Sequence, residues 1–242
     1  MTKNINWFIS WFNSKYYHIL YKHRDDKEAD IFMRNLISFL KLKKEEVILD
    51  LACGKGRHAI FLNSLGFNVV GADLSTNSIQ KAKKKENERL RFIEHDMRNP
   101  FPEKYNTVLN LFTSFGFFEE DSEDITVLKN IKNSLEKDGI AVIDFMNALY
   151  VVKYLVPNET LIIDGITFNI TKYVENGFII KKIVFEAEGD DHTYFEKVKI
   201  LDLPKIKGYL QTVGFKIKHT FGNYQLDNFD EHTSKRLILV LE

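Results

Sequence analysis

Two apolar runs and the residues between them constrain this chain's fold more than any other feature. Val47-Ile48-Leu49 reads as a short buried strand, followed by Asp50-Leu51-Ala52-Cys53-Gly54-Lys55-Gly56, and Arg57-His58-Ala59 opens a helical pattern. The next run, Phe67-Asn68-Val69-Val70-Gly71-Ala72, ends in Asp73. Gly54 and Gly56 carry no Cβ, so the backbone can turn tightly there and approach a ligand closely. Strand, glycine loop, helix, strand, acid is the layout of an adenosine-type cofactor site in a doubly wound α/β fold. Asp73 falls where a ribose diol would lie.

Charge discriminates between cofactors. Gly54-Lys55-Gly56-Arg57-His58-Ala59 also fits a dinucleotide glycine pattern, but the first strand ends in Asp50. A dinucleotide would press its pyrophosphate against this loop and the helix N-terminus. Two anions near 4 Å repel by roughly 4 kcal/mol at an effective dielectric near 20. S-adenosylmethionine (SAM) has no phosphate and carries an ammonium and a sulfonium, which a carboxylate favours. Asp50 therefore selects SAM over NAD, with an oxidoreductase as the third reading.

Asp50-Leu51-Ala52-Cys53-Gly54-Lys55-Gly56 resembles motif I of the class I SAM-dependent methyltransferases, and Asp73 resembles their acid after strand two. His95-Asp96-Met97-Arg98 is similar to their third motif, and Asn110 to Gly116 to the segment after strand four. The resemblance runs in order over residues 16 to 147 and returns in the tail. It implies a cofactor set of Asp50, Ala52, Cys53, Gly54, Gly56, Arg57, Asp73, Leu74, Asp96, Met97 and Leu111. In that set Asp50 meets the methionine ammonium and Asp73 the ribose hydroxyls. Asp96 takes the adenine amino group, the Met97 amide the ring, and the Leu111 carbonyl the ammonium. Arg57 reads equally as a partner of the SAM carboxylate and as a surface arginine. Cys53 reads as a small loop residue, not a nucleophile.

Hydrophobic periodicity supplies the frame. Helices are expected over 26–40, 57–64, 76–86 and 122–136, and strands over 91–94, 107–111 and 140–145. The whole chain, 1–242, reads as a single methyltransferase domain: a Rossmann-like seven-stranded sheet with helices on both faces. Residues 1–40 form a helical lid or cap. Beyond strand five the pattern changes to strands joined by Asp164-Gly165, Asn176-Gly177 and Glu188-Gly189-Asp190-Asp191, which are hairpin signals. An antiparallel insertion of three or four strands is expected over 151–201. Asp202-Leu203-Pro204 then starts a helix running to Val213, and 215–222 and 236–241 form a closing hairpin. The insertion resembles that of bacterial small-molecule methyltransferases, including amino-sugar N,N-dimethyltransferases. Leu20-Tyr21-Lys22-His23-Arg24 resembles their aromatic-plus-arginine closing segment.

Acidic and basic residues balance at 34 each, so bulk charge draws the chain toward neither nucleic acid nor an anionic membrane. One cysteine excludes an internal disulfide and fits a cytoplasmic protein. Trp7 to Phe12 is too short and interrupted for a signal or membrane segment. The expected partners are a small-molecule acceptor and, through the insertion, a second copy of the chain.

Methyl transfer is an in-line displacement in which alignment alone lowers the barrier by roughly 7–11 kcal/mol. The acceptor is a small molecule with nitrogen or oxygen as the nucleophile. Tyr21, His18 and His23 are the candidate bases, and Tyr17, Tyr21, Arg24, Ser114, Phe117 and Phe145 the candidate acceptor contacts. Phe112, Phe115 and Phe118 are further aromatic faces for the cationic centre. The cluster from Trp7 to Tyr21 reads equally as an aromatic lid and as plain packing. Asn110-Leu111-Phe112-Thr113 lacks the Pro-Pro-aromatic stretch of enzymes that methylate base amines, and apolar Phe117 departs from the polar residue common in amino-sugar enzymes. The alternatives are an RNA or protein methyltransferase docking through Lys83-Lys84-Lys85 and the insertion, or a non-catalytic SAM-binding or dimerisation module.

Overall fold

The computed structural model describes residues 7–22 and 26–242. The chain runs α1 (Trp7–Phe12), α2 (Lys15–Leu20), α3 (Asp26–Leu40), β1 (Val47–Leu51), α4 (Arg57–Ser64), β2 (Asn68–Asp73), α5 (Thr76–Ala82), β3 (Leu90–Glu94) and β4 (Tyr105–Asn110). It continues through α6 (Asp121–Ser134), β5 (Leu135–Met146), α7 (Ala148–Lys153), β6 (Asn158–Ile163), β7 (Ile166–Glu175), β8 (Phe178–Ala187) and β9 (Asp190–Lys199). It closes with α8 (Leu203–Val213), β10 (Ile217–Phe221) and β11 (Arg236–Leu241).

The main sheet has seven strands in the order β10-β11-β5-β4-β1-β2-β3, parallel except where β11 pairs antiparallel with β5 and β10. Alternation along the strands divides the core in two. Leu49, Leu51, Val108, Ile143 and Leu239 face one side with residues of α6 and α8. Ile48, Leu109, Val142 and Ile238 face the other with residues of α3, α4 and α5. Phe92 of β3 wedges beneath the glycine loop: a Cβ on Gly71 would lie 2.5 Å from its ring, and one on Gly56 2.3 Å from it. Gly56 and Gly71 are therefore required by packing.

The second sheet is separate, antiparallel and four-stranded, in the order β6-β7-β8-β9. Asp164-Gly165, Asn176-Gly177 and Glu188-Gly189 all have positive φ at both residues, as two-residue hairpin turns need. This moves the expected third turn, because Asp190 and Asp191 already belong to β9. Its inner face carries Phe168, Ile170, Ile183 and Phe185, continuous with the core that α1 and α2 join. Trp11 stacks near Tyr194 at 4.7 Å, and its indole donates to Glu196 Oε1 at 2.7 Å.

Three expected boundaries shift. α5 ends at Ala82 and tightens into a 3-10 turn over Lys83–Lys85, whose exposed side chains face solvent. α6 ends at Ser134, and β5 starts at Leu135 opposite Tyr105 before bulging and re-registering at Ile140 opposite Thr107. β4 stops at Asn110, leaving Leu111 just beyond the sheet.

Candidate active site

The loop after β1 is tied to the end of β2 by its backbone amides. The amides of Ala52 and Cys53 both donate to Ala72 O, at 2.7 and 3.0 Å. Gly54 N donates to Asp73 Oδ2 at 2.8 Å, and Ser75 N to Asp73 Oδ1 at 2.7 Å. Asp73 thus joins the glycine loop to the start of α5, whose N-cap is Ser75. Each ionised carboxylate oxygen has a second acceptor site, so Asp73 can still receive two hydroxyls. At Gly54, with φ +55°, a Cβ would stand in open space, so its backbone conformation is what calls for glycine.

Asp50 is buried at 3% exposure at the end of β1. The Ala59 amide in the first turn of α4 bonds to it, so it partly serves as a helix-capping acid. Its Oδ2 has no hydrogen-bond partner among the described residues. Burial pushes its pKa up to about 7, the Ala59 bond opposes this, and Asp73 adds to it. Burial also raises Asp73 and the Cys53 thiol, which keeps the thiol protonated. Two buried carboxylates with spare acceptor sites suit a ligand bearing an ammonium and a diol and would repel a pyrophosphate. SAM fits this donor set; NAD does not.

Beside the loop lies a cleft of about 590 Å³, counting the part open to solvent. Ala52, Asp73, Leu74, Asp96, Met97 and Phe117, all expected from sequence, line it. Asp50, Cys53, Gly54, Gly56, Arg57 and Leu111 lie in the adjoining loop, strand ends and helix start, and are not among its lining residues. Asp96 is held by Arg98, whose Nη2 lies 2.6 Å from Asp96 Oδ2; burial opposes, but Arg98 keeps the carboxyl below its ordinary range. The Arg57 guanidinium is exposed and 2.9 Å from His58 Nε2.

The remaining wall comes from α1. Phe8, Ile9, Phe12 and Asn13 line the cleft, and Trp7 and Phe12 meet Phe117 edge-on or tilted at 5.5 and 5.6 Å. Asn13 Oδ1 accepts from Ser75 Oγ at 2.5 Å, fastening the end of α1 to the start of α5. The aromatic cluster therefore both packs and roofs the cleft. Phe118, expected as an aromatic face, also lines the cleft, whereas Ile9, Asn13, Ser75 and His95 were not singled out as contacts from sequence. The i, i+1, i+4, i+5 spacing of 8, 9, 12 and 13 on one helical face is the signal that could have found the α1 set.

The expected acceptor residues separate. Tyr17 packs against Phe12 and Tyr21 at 5.0 and 5.1 Å. The Tyr21 hydroxyl donates to Glu196 Oε1 at 2.6 Å and accepts from Lys181 Nζ. Ser114 Oγ donates to the Leu111 carbonyl at 2.8 Å. Three of the expected aromatic faces lie away from the cleft lining. Phe145 of β5 is fully buried, on the same strand face as Ile143, and does not line the cleft. Phe112 stacks on His58 at 4.5 Å, because a left-handed φ of +58° turns it toward α4. Phe115 is likewise fully buried. Burial, with Lys55 and Lys81, pushes His18 down to about 4. His23 and Arg24 lie outside the described residues.

A methyltransferase-domain family model matches residues 48–139. The glycine/sarcosine N-methyltransferase of Aphanothece halophytica is 25% identical over 229 residues, covering 91% of this chain and 84% of that protein. YqeM of Bacillus subtilis is 29% identical over 117 residues, and the chain spans only 47% of its length. A SAM-dependent methyltransferase from Clostridium acetobutylicum superposes with a TM-score of 0.79 at 17% identity, covering 94% of this chain and 95% of that one. CalS10, an amino pentose methyltransferase from Micromonospora solved with SAM bound, superposes with a TM-score of 0.67 at 16% identity, covering 94% and 96%. No helix among the described residues is long and apolar enough to cross a membrane. The motif order, the strand order and these relatives agree, and together they support a class I SAM-dependent methyltransferase with its methyltransferase domain at residues 48–139.

Proposed function

We propose that the chain transfers the methyl group of SAM to the nitrogen of a small amine. The observation that carries this reading is the composition of the roofed cleft. Rings of Phe8, Phe12, Phe117 and Phe118 surround it, and its ionisable lining residues are Asp73, His95 and Asp96. SAM supplies an already activated methyl on a sulfonium. A neutral amine needs only alignment and a site that tolerates the ammonium it becomes, which aromatic faces provide. A hydroxyl acceptor would also need a base. His18, held near 4, is too weak a base for that. Tyr21 is engaged by Lys181 and Glu196, and His95 packs on Phe101 with its Nε2 3.2 Å from Asn99 O.

In this reading Asp50 receives the methionine ammonium and Asp73 the ribose. Asp96 and the Met97 amide hold the adenine, and the Leu111 carbonyl takes a second ammonium bond. Ala52, Cys53, Gly54, Gly56 and Leu74 shape the cofactor side, and Arg57 stays at the surface. Tyr17, Tyr21 and Phe117 bound the acceptor end. The relative named for glycine and sarcosine N-methylation, and the neighbour named for amino pentoses, support a small amine acceptor. Of the N-terminal segment, α1 acts as the cap, and the chain works on soluble metabolites in the cytoplasm. A second copy would dock on the small sheet.

The test is incubation with methyl-labelled SAM and matched pairs of amines and alcohols: glycine, sarcosine and amino sugars beside their hydroxy analogues. Label on nitrogen of the amine members is expected. Label confined to hydroxyl oxygen, or found on RNA or protein alone, would overturn the reading.

A further inference from the structure

The segment after β4 leaves the sheet at Leu111 and reaches the cleft wall at Phe117 and Phe118. Its first two residues beyond Leu111, Phe112 and Thr113, are both left-handed, with φ of +58° and +62°. Side chains rarely adopt this conformation, and two adjacent cases persist only where surrounding contacts impose it. Those contacts converge on one residue, Asp144, through its carboxylate and its main-chain carbonyl. Asp144 is fully buried on β5; its Oδ2 accepts from Phe112 N at 2.8 Å, and its carbonyl accepts from Thr113 N at 2.9 Å. Arg236 at the start of β11 donates from Nε to Asp144 Oδ1 at 2.8 Å and from Nη2 to Thr113 Oγ1 at 3.0 Å. Tyr224 donates to Asp144 Oδ2 at 3.3 Å.

We infer that Asp144 and Arg236 are positioning residues for methyl transfer. They clamp the left-handed pair Phe112-Thr113, and so set the Leu111 carbonyl and the Phe117-Phe118 wall against the cofactor. The far end of the segment is pinned independently, where Lys199 N donates to Gly116 O at 2.8 Å and a Cβ on Gly116, with φ +79°, would press on Phe145 at 3.2 Å. Ser114 and Phe115 lie between those two anchors, and the clamp fixes the end from which they lead to Gly116 and on into the wall. The Arg236 fork has no equivalent in lysine: an ammonium can keep the charge beside Asp144 but cannot bond the carboxylate and Thr113 in the same geometry. The inference rests on the proposed reading of the cleft as the methyl-transfer site.

The experiment compares wild type with Arg236→Lys, using hydrogen–deuterium exchange of the free protein and calorimetric titration with SAM. In Arg236→Lys, exchange across 111–118 should rise at least tenfold while peptides from β1 and β8 change less than twofold. SAM affinity should fall about tenfold. Adding Thr113→Gly, which adopts positive φ without strain, should recover part of both losses. Thr113→Val keeps the β-branched shape, puts a methyl where Arg236 meets the hydroxyl, and should move both readouts at least threefold, which keeps the test decisive if the lysine variant does not fold. Unchanged exchange at 111–118, or an equal rise over the whole chain, would overturn the clamp. A wild type that binds no SAM would overturn the reading of the cleft, while the exchange comparison would still judge the clamp.

Discussion

The amide of Gly54 donates to Asp73 Oδ2 at 2.8 Å, so the acid that ends β2 ties down the loop that follows β1. Replacing Asp73 by Ala removes that tie, the Ser75 bond and the proposed ribose acceptor together. Hydrogen bonds to a charged group contribute about 1.5–3 kcal/mol each. Two of them lost from the ribose predict a fall in SAM affinity of at least about a hundredfold, measured by calorimetric titration. Asp73→Asn should fall between the two, because it keeps the size and loses the charge.

Asp50 predicts a pH dependence. Burial disfavours the anion and pushes its pKa from the ordinary aspartate value of 3.8 up to about 7. The neutral form is the one the free fold prefers, so its contribution to stability is lost as pH rises from about 4 through 7. An ammonium ligand prefers the ionised form. SAM affinity should therefore rise between pH 6 and 8, by up to about tenfold per unit below the pKa, with release of a proton. Titration in two buffers of different ionisation enthalpy measures the release. Asp50→Asn should abolish it, flatten the profile and weaken binding at pH 8. A proton count of zero in wild type would refute the proposed contact.

Gly71→Ala tests the wedge under the loop. The added Cβ would lie 2.5 Å from the Phe92 ring and 2.9 Å from Cys53 Sγ. Such overpacking costs about 1–3 kcal/mol, read as a lower midpoint in urea with the m-value unchanged. Phe92→Leu in the same chain should return part of the loss. A double variant no more stable than Gly71→Ala would mean that the clash is relieved elsewhere.

The loop and its strands were legible because their signals are local. Gly54, Gly56 and Asp73 lie within twenty residues, and each hairpin of the small sheet announces itself by a turn dipeptide. The core place of Phe145 was available from parity: it shares a strand face with Ala141 and Ile143, which the alternation assigns to the core. Phe112 could not have been read, since its direction depends on a left-handed φ imposed by Asp144, thirty-two residues away. The roof was only half visible. Spacing shows one face of α1, but not that Asn13 meets Ser75 across the cleft. The Tyr21, Lys181 and Glu196 cluster joins a helix to two strands more than 150 residues away, and no sequence interval marks it.

Lys199 carries the last prediction. Its Nζ lies 2.5 Å from Asp124 Oδ2 and 2.8 Å from Asp121 Oδ1, joining β9 to α6 behind the cleft wall. Asp124 is fully buried, and burial pushes it up to about 6 even with Lys199 beside it. Lys199→Met leaves that carboxyl without its cation, a loss of about 3–5 kcal/mol for a broken buried pair. The sign with pH follows from the raised value: ionising Asp124 weakens the fold as pH climbs from about 4 to 6, and without the lysine this weakening should extend to higher pH. Urea unfolding should therefore show a larger deficit for Lys199→Met at pH 8 than at pH 5. Lys199→Met with Asp124→Asn should recover most of the difference at pH 8, because the buried charge is gone. A double variant as unstable as the single one would place the loss in packing around Phe178, whose ring lies under the lysine at 5.9 Å, and not in the stranded carboxylate.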